Sequence, residues 1–395
     1  MDSRDKYLSV ESIRGLACVM VLMSHLSLTF FPFLHAFDGK GDIALNSIQG
    51  FIHESPFGFF YSGSAAVYIF FVLSGFILTK VALKKDDAPV KIFSMFLKRY
   101  PRLMIPVLVS CIIAYVFFQL FDISSPDLGP WIKGYGSLDY SLTNAIYSGT
   151  VDVFFLSGYS AYNPVLWTMK IELLGSIVVY LLCLNKVTLK LPFLLEVVAL
   201  LTVILTFLKI IPSSLGSGLF AFYGGYLFCI YGRVIPLKIA LPVLLFGLFL
   251  AGAHNQSYSY SLIATLLGTK TYSLCNFMSG FFVVYAIIFN DKLNMFFSGK
   301  ALVFMGKVSF SVYLIHMPIL STFGIYAFNI LFQYTGVYHW AAVGTSLLTI
   351  LSVYLCSIMF YRYVDAQGMN FSNFFANKII TQLQAVKKTA QGSIS

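Results

Sequence analysis

Long apolar runs recur along the whole chain, with short polar segments between them. A helix needs about 20 residues to cross a hydrocarbon core of roughly 30 Å, and ten runs approach or reach that length. The pattern predicts an all-α, polytopic integral membrane helix bundle, with about ten transmembrane helices near residues 13–33, 65–83, 103–121, 166–184, 191–211, 215–231, 236–253, 272–289, 308–331 and 339–361.

The distribution of basic residues predicts the orientation of these helices. Ten spans place both termini on one side of the membrane. If that side is the cytoplasm, 19 of the 26 Lys and Arg residues fall in cytoplasmic segments and only four in outer segments. We therefore expect cytoplasmic termini, one transmembrane domain over residues 1–365, and a cytoplasmic C-terminal tail over residues 366–395.

Composition excludes the soluble classes of protein. The chain is 58% hydrophobic and 11% charged, whereas about a quarter of the residues in an average soluble domain are charged. The net charge of +10 is divided among short loops, so no nucleic-acid partner is expected. The six cysteines lie in apolar runs without CxxC spacing, so neither disulfides nor a metal site is predicted.

Ionisable residues within the predicted spans are candidate functional groups, because each costs several kcal/mol unless it faces a cavity or a partner. Arg14 and His25 are 11 residues apart, which on a helix is about three turns and a rise of about 16 Å on one face. Glu11 precedes Arg14 by one turn, within contact range. The alternatives are that Arg14 is a topology anchor and that His25 is hydrogen-bonded within the bundle.

Several motifs carry a resemblance to a known family. YLSVESIRGLACVMVLMSH, at residues 7–25, resembles the opening signature of the acyltransferase family 3 membrane proteins, with Glu11, Arg14 and His25 at the matching places. Further matches follow in the expected order. They are FFVLSGFIL at 70–78, KRYPRLMIP at 98–106, LWTMKIE at 166–172, SFSVYLIHMPIL at 309–320 and YRYVD at 361–365.

The resemblance implies a membrane-bound O-acyltransferase of the bacterial cytoplasmic (inner) membrane. It would transfer an acetyl group from cytoplasmic acetyl-CoA, a co-substrate, to a sugar hydroxyl of a surface polysaccharide such as lipopolysaccharide O-antigen, or of a lipid-linked saccharide. No permanently bound cofactor is expected, and the sequence leaves the oligomeric state open. The alternative function is a secondary transporter of a small solute or an acylated intermediate, since intramembrane charges also mark transport pathways.

Acyl transfer to a hydroxyl needs a base with a pKa near 7, and histidine is suited to that role. We therefore expect His25 to be catalytic, as a base or as an acylated relay, together with Arg14 and Glu11. CoA phosphates are expected to bind Arg14 and a basic cluster on a cytoplasmic loop; the alternative for this cluster, Lys98, Arg99 and Arg102, is topology alone. Acceptor-side or supporting roles are expected for four more residues, Ser74, Glu172, Trp167 and His316.

Overall fold

The computed structural model describes residues 3–37, 47–84, 88–121, 124–133, 140–191 and 193–392, and no strand occurs in these ranges. The first half contains α1 (Ser3–Phe30), α2 (Ser47–Glu54), α3 (Gly63–Ala82), α4 (Ala88–Leu120), α5 (Pro130–Lys133), α6 (Leu142–Tyr147), α7 (Val153–Phe155), α8 (Trp167–Leu184) and α9 (Leu194–Phe207). The second half contains α10 (Ser213–Tyr231), α11 (Leu237–Ala251), α12 (Ser261–Leu267), α13 (Thr271–Ile288), α14 (Asp291–Phe296), α15 (Lys300–Ile319), α16 (Ile325–Thr335), α17 (Tyr338–Phe360) and α18 (Ala366–Gly392).

Eight helical segments of the described chain are long and apolar enough to cross a membrane. They are Leu8–Phe30, Gly63–Ala82, Ala88–Leu120, Pro164–Leu189, Ser213–Tyr231, Tyr258–Ile288, Lys300–Thr335 and Tyr338–Ala385. Two shorter apolar helices, α9 and α11, lie where the fifth and seventh spans are predicted. The structure thus confirms an all-helical, many-pass protein, and the count of ten remains a prediction.

The basic cluster of residues 98–102 lies on a helix, so the prediction that it forms a loop is wrong. Helix α4 begins at Ala88 and continues through two internal prolines, Pro101 and Pro106. Each proline removes one backbone donor, and membrane helices tolerate this where neighbouring helices satisfy the freed carbonyl group. Helical spacing, rather than loop conformation, therefore decides where these basic side chains point.

Glycine residues bring pairs of neighbouring helices close together. A Cβ atom on Gly15 of α1 would lie 2.7 Å from the backbone nitrogen of Gly306 in α15, and one on Gly306 would overlap the backbone of Glu11. A Cβ atom on Gly75 of α3 would likewise overlap the backbone of Phe222 in α10. Glycine lets membrane helices make such close approaches, so α1 packs directly on α15 and α3 directly on α10.

The C-terminal helix is packed against the bundle. A π-helical turn, Tyr361–Asp365, joins α17 to α18, and α18 packs along α4. Gly368 lies against Ile105 and Pro106, and Ala376 is completely buried. The residues just beyond position 365 therefore pack against α4 rather than standing apart from the bundle.

The predicted orientation of the helices in the membrane can be tested by cysteine labelling. Tyr334 follows the ninth predicted span and Met295 precedes it, and both side chains are largely exposed, at 88% and 73%. In a background in which the exposed Cys356 is replaced by serine, we expect Tyr334→Cys in intact cells to react with an impermeant thiol reagent. Met295→Cys should react only after the membrane is opened, and the opposite pattern would reverse the predicted topology.

Candidate active site

A cavity of about 390 Å³ lies among α1, α3, α4, α8, α15 and the turn of residues 361–365. Its apolar walls include Phe70, Phe71 and Leu103. Seven charged residues also line it: Glu11, Arg14, Arg99, Arg102, Glu172, Lys307 and Asp365. A cavity inside a membrane protein that gathers four cations and three carboxylates is a candidate binding site, because such groups are costly in lipid.

Two ion pairs neutralise part of this charge. Arg14 Nη1 lies 3.4 Å from Glu11 Oε1, which is the contact predicted from their spacing. Arg99 Nη2 lies 2.5 Å from Glu172 Oε2, and Ser74 Oγ donates a hydrogen bond of 3.0 Å to the same carboxylate. Each ion pair is thus formed between two side chains that both line the cavity.

Two cations lack such a partner. Within the described part of the chain, no carboxylate oxygen lies within 4 Å of Arg102 or Lys307, and both side chains are exposed to the cavity. Arg102 lies one turn beyond Arg99 on α4, and both side chains line the cavity, whereas Lys98, one turn before Arg102, does not line it. The cavity therefore presents two cations outside any ion pair to an anionic ligand, and its remaining carboxylate, Asp365, interacts with Arg102 at longer range.

His25 lies beyond the cavity lining, against His316. His25 Nδ1 is 3.1 Å from His316 Nε2, and the two ring centroids are 5.1 Å apart. Tyr313 lines the cavity on one side, and its ring centroid is 5.9 Å from that of His316. The structure thus brings His25 and His316 together, and Tyr313 of the cavity lining lies next to His316.

Trp131 stacks on the His25 ring, with centroids 5.7 Å apart and planes 23° apart. In the sequence this tryptophan belongs to a loop rich in aromatic residues and is indistinguishable from the aromatic belt at a membrane surface. No spacing rule connects Trp131 to His25, since the two lie 106 positions apart on different elements. Its contact with the histidine was therefore not predictable from the sequence.

Three further histidines lie beyond the C-terminal end of α1. His35 Nε2 is 2.8 Å from Ser27 Oγ, and the rings of His53 and His254 are 4.4 Å apart. Burial lowers the pKa of His35 to about 3 and that of His254 to about 4, so both are neutral at physiological pH. No group of three His, Cys, Asp or Glu side chains in the described ranges is arranged as a metal site.

The structure separates the residues expected in acceptor-side or supporting roles. Ser74 and Glu172 lie in the same cavity as the expected donor-binding arginines, Arg14, Arg99 and Arg102. Ser74 donates a hydrogen bond to Glu172, and its neighbour Gly75 makes the close helix contact with Phe222. Trp167 begins α8, is 38% exposed, and does not line the cavity.

Lys170 does not neutralise Glu172, because residues two apart on a helix do not face each other. Its Nζ donates a hydrogen bond of 2.7 Å to the carbonyl oxygen of Leu156. The neutralising group is Arg99, from another helix. Sequence reasoning also missed Lys307 as a cavity cation, because position 307 falls in a short polar segment that topology alone explains.

Comparison with known proteins gives a consistent picture. The chain is 23% identical over 384 residues to O-acetyltransferase PaAT-1 of Phomopsis amygdali, covering 80% of this chain and 72% of that protein. It is 27% identical over 180 residues to an O-acetyl transferase of Shigella phage Sf6, covering 42% of this chain and 43% of that protein. No solved structure matches the chain.

The acyltransferase domain that defines a family of membrane acyltransferases matches residues 7–362, nearly the whole chain. The match includes every motif quoted above except the last three residues of YRYVD. It supports an acyltransferase rather than the alternative of a secondary transporter. The chain belongs to acyltransferase family 3.

Proposed function

We propose that the protein transfers an acetyl group from acetyl-CoA to a hydroxyl group of a surface polysaccharide, such as lipopolysaccharide O-antigen, in the bacterial cytoplasmic membrane. The observation that carries this proposal is the cavity with two cations outside any ion pair, Arg102 and Lys307, next to the His25–His316 pair. The names of the two relatives, both O-acetyltransferases, support a hydroxyl oxygen as the atom that receives the acetyl group. Under the predicted topology, the cavity opens toward the cytoplasm, where acetyl-CoA is found.

The donor end of the proposal rests on charge. CoA carries phosphate groups, and guanidinium and ammonium groups bind phosphate through charge-assisted hydrogen bonds. Arg102 and Lys307 are exposed in the cavity, while Arg14 and Arg99 are already paired with carboxylates. We therefore assign the phosphate contacts first to Arg102 and Lys307, with Arg14 as a weaker partner.

The proposed position of the acetyl group rests on the geometry of the cavity. The thioester would extend along the apolar wall formed by Phe70 and Phe71 toward Tyr313, whose hydroxyl group is held by the carbonyl oxygen of Val165 at 2.8 Å. Tyr313 lines the cavity and its ring lies next to that of His316, with the centroids 5.9 Å apart. A small rearrangement at this ring would bring the acyl carbon next to His25.

His25 would then act as general base. The acceptor O–H bond breaks, its proton passes to a ring nitrogen of His25, and the oxygen bonds to the carbonyl carbon of the thioester. The C–S bond breaks as the tetrahedral intermediate collapses, and the CoA thiolate takes the proton back from His25. The products are the acetyl ester and free CoA, and the histidine returns to its neutral state.

Arg102 and Lys98 provide a matched test of the donor site. They are four residues apart on α4, and only Arg102 lines the cavity. We expect Arg102→Ala to raise KM for acetyl-CoA about tenfold, since a hydrogen bond to a charged group contributes about 1.5 kcal/mol or more. Lys98→Ala should leave that KM unchanged.

The measurement is the release of free CoA from radiolabelled acetyl-CoA by purified protein, with and without saccharide acceptor. Transfer of label to the acceptor, with the KM of the Arg102→Ala variant raised, would support the proposal. If no thioester is consumed under conditions in which the protein remains folded, the acetyl-CoA proposal is wrong. Equal KM values for the two variants would remove Arg102 from the donor site.

A further inference from the structure

The hydrogen bonds of His316 determine which of its ring nitrogens carries the proton. Its Nδ1 lies 3.0 Å from the carbonyl oxygen of Val312, and a carbonyl oxygen can only accept. Nδ1 of His316 is therefore protonated. The ring is 1% exposed within the bundle, where a charged imidazolium would be costly, so Nε2 keeps its lone pair and His316 is an acceptor there.

His25 is consequently fixed as well. Its Nδ1 lies 3.0 Å from the carbonyl oxygen of Val21 and 3.1 Å from Nε2 of His316, and both of these atoms are acceptors. Nδ1 of His25 must therefore donate to both. None of the described residues hydrogen-bonds to its Nε2, and His25 remains partly exposed, so the bare nitrogen is the one that substrate can reach.

We infer that His316 is a positioning residue that holds His25 in the tautomer with Nδ1 protonated and Nε2 bare. This inference rests on the proposed function, in which Nε2 of His25 takes the proton of the acceptor hydroxyl. Trp131 stacks on the face of the His25 ring, and the two hydrogen bonds of Nδ1 define its rotation about the Cβ–Cγ bond. The three contacts together present one nitrogen in one direction.

The same contacts act on the charged intermediate. When Nε2 of His25 takes the proton, the ring becomes an imidazolium whose Nδ1–H still points at two neutral acceptors, Val21 O and His316 Nε2. Such preoriented dipoles stabilise the charge that develops on the ring. His316 gains and loses no proton in this scheme, so the proton moves only between the acceptor oxygen, Nε2 of His25 and the CoA thiolate.

Two variants of His316 separate this role from simple packing. His316→Phe keeps an aromatic ring but removes the acceptor nitrogen, whereas His316→Gln supplies a carbonyl oxygen as a replacement acceptor. We expect His316→Phe to lower kcat about 10- to 100-fold, the range usual for partners that orient a functional histidine, with KM for acetyl-CoA unchanged. His316→Gln should recover part of that loss, and His339→Phe, which alters a histidine outside the pair, should retain the wild-type kcat.

A spectroscopic measurement tests the tautomer without any substrate. In protein labelled with ¹⁵N-histidine, the His25 signals are those lost in His25→Gln. We expect them to report a protonated Nδ1 and an unprotonated Nε2 in the wild type, and a mixture of tautomers in His316→Phe. A protonated Nε2 in the wild type, or His25 signals unchanged in His316→Phe, would overturn the inference, as would equal kcat values for His316→Phe and wild type.

The two measurements also separate this inference from the proposed function. If the protein consumes no acetyl-CoA but shows the expected tautomer shift, the proposed reaction fails while His316 is still shown to position His25. If acetyl transfer occurs and the tautomer is independent of His316, the reaction stands and the positioning role is wrong.

Discussion

Replacement of His25 by alanine is expected to reduce acetyl transfer by a factor of about 10² to 10⁴, the usual contribution of a general base. Binding of acetyl-CoA should be nearly unchanged, because His25 lies outside the lining of the cavity that holds Arg102 and Lys307. The measurement pairs single-turnover formation of labelled ester with equilibrium binding of acetyl-CoA to the same preparation. A loss in turnover without a loss in binding identifies a group that acts on the transition state.

The control for this variant is His339→Ala, which removes a partly buried histidine outside the His25–His316 pair. Both variants must first give the same elution volume and thermal midpoint as wild type, since a buried polar side chain can also be structural. A folded His25→Ala protein that forms ester at a near-normal rate would show that another group carries the proton.

The largest expected effect on stability comes from the Arg99–Glu172 pair. Their side chains are 11% and 14% exposed, and Arg99 also donates to Ser176 Oγ at 2.8 Å. Arg99→Met leaves the Glu172 carboxylate in the cavity wall without its cation, and we expect a loss of about 3 kcal/mol, the lower end of values for buried pairs. Unfolding titrations in mixed detergent provide the measurement.

The double variant Arg99→Met/Glu172→Met is the matched control. Glu172→Met alone should be destabilised by a similar amount, because it leaves Arg99 unpaired. The double variant should be more stable than either single variant, since no charge remains without a partner. If the two single losses simply add in the double variant, the two side chains do not act as a pair.

Local spacing predicted the contacts that lie within one helix and missed those between helices. The hydropathy pattern located the eight helices that are long and apolar enough to span a membrane, and the three-residue separation of Glu11 and Arg14 predicted their contact, because both depend on helix geometry alone. Arg99 and Glu172 are separated by 73 positions, and His25 and His316 by 291. Such contacts depend on how helices pack, which an apolar pattern does not encode for neighbouring membrane helices.

The sequence also assigned some residues to the wrong local environment. Charged residues between apolar runs suggested a loop before residue 103, yet α4 includes both Pro101 and Pro106 within a continuous helix. Asp365 and Tyr361 lie in a closing motif whose role the sequence left open, and the π-helical turn there directs both into the cavity. A π-helical turn depends on the packing around it, so no residue pattern in the sequence predicted it.

The glycine crossing of α1 and α15 constrains how this protein can move. Helices in contact through backbone atoms at Gly15 and Gly306 cannot slide past one another, because the neighbouring Cβ atoms would collide with the opposing backbone. His25 and His316 stand on these two helices, so the close crossing also opposes relative movement of the two rings. We therefore expect the distance between the two histidines to change little when other elements, such as α4 or α18, are displaced.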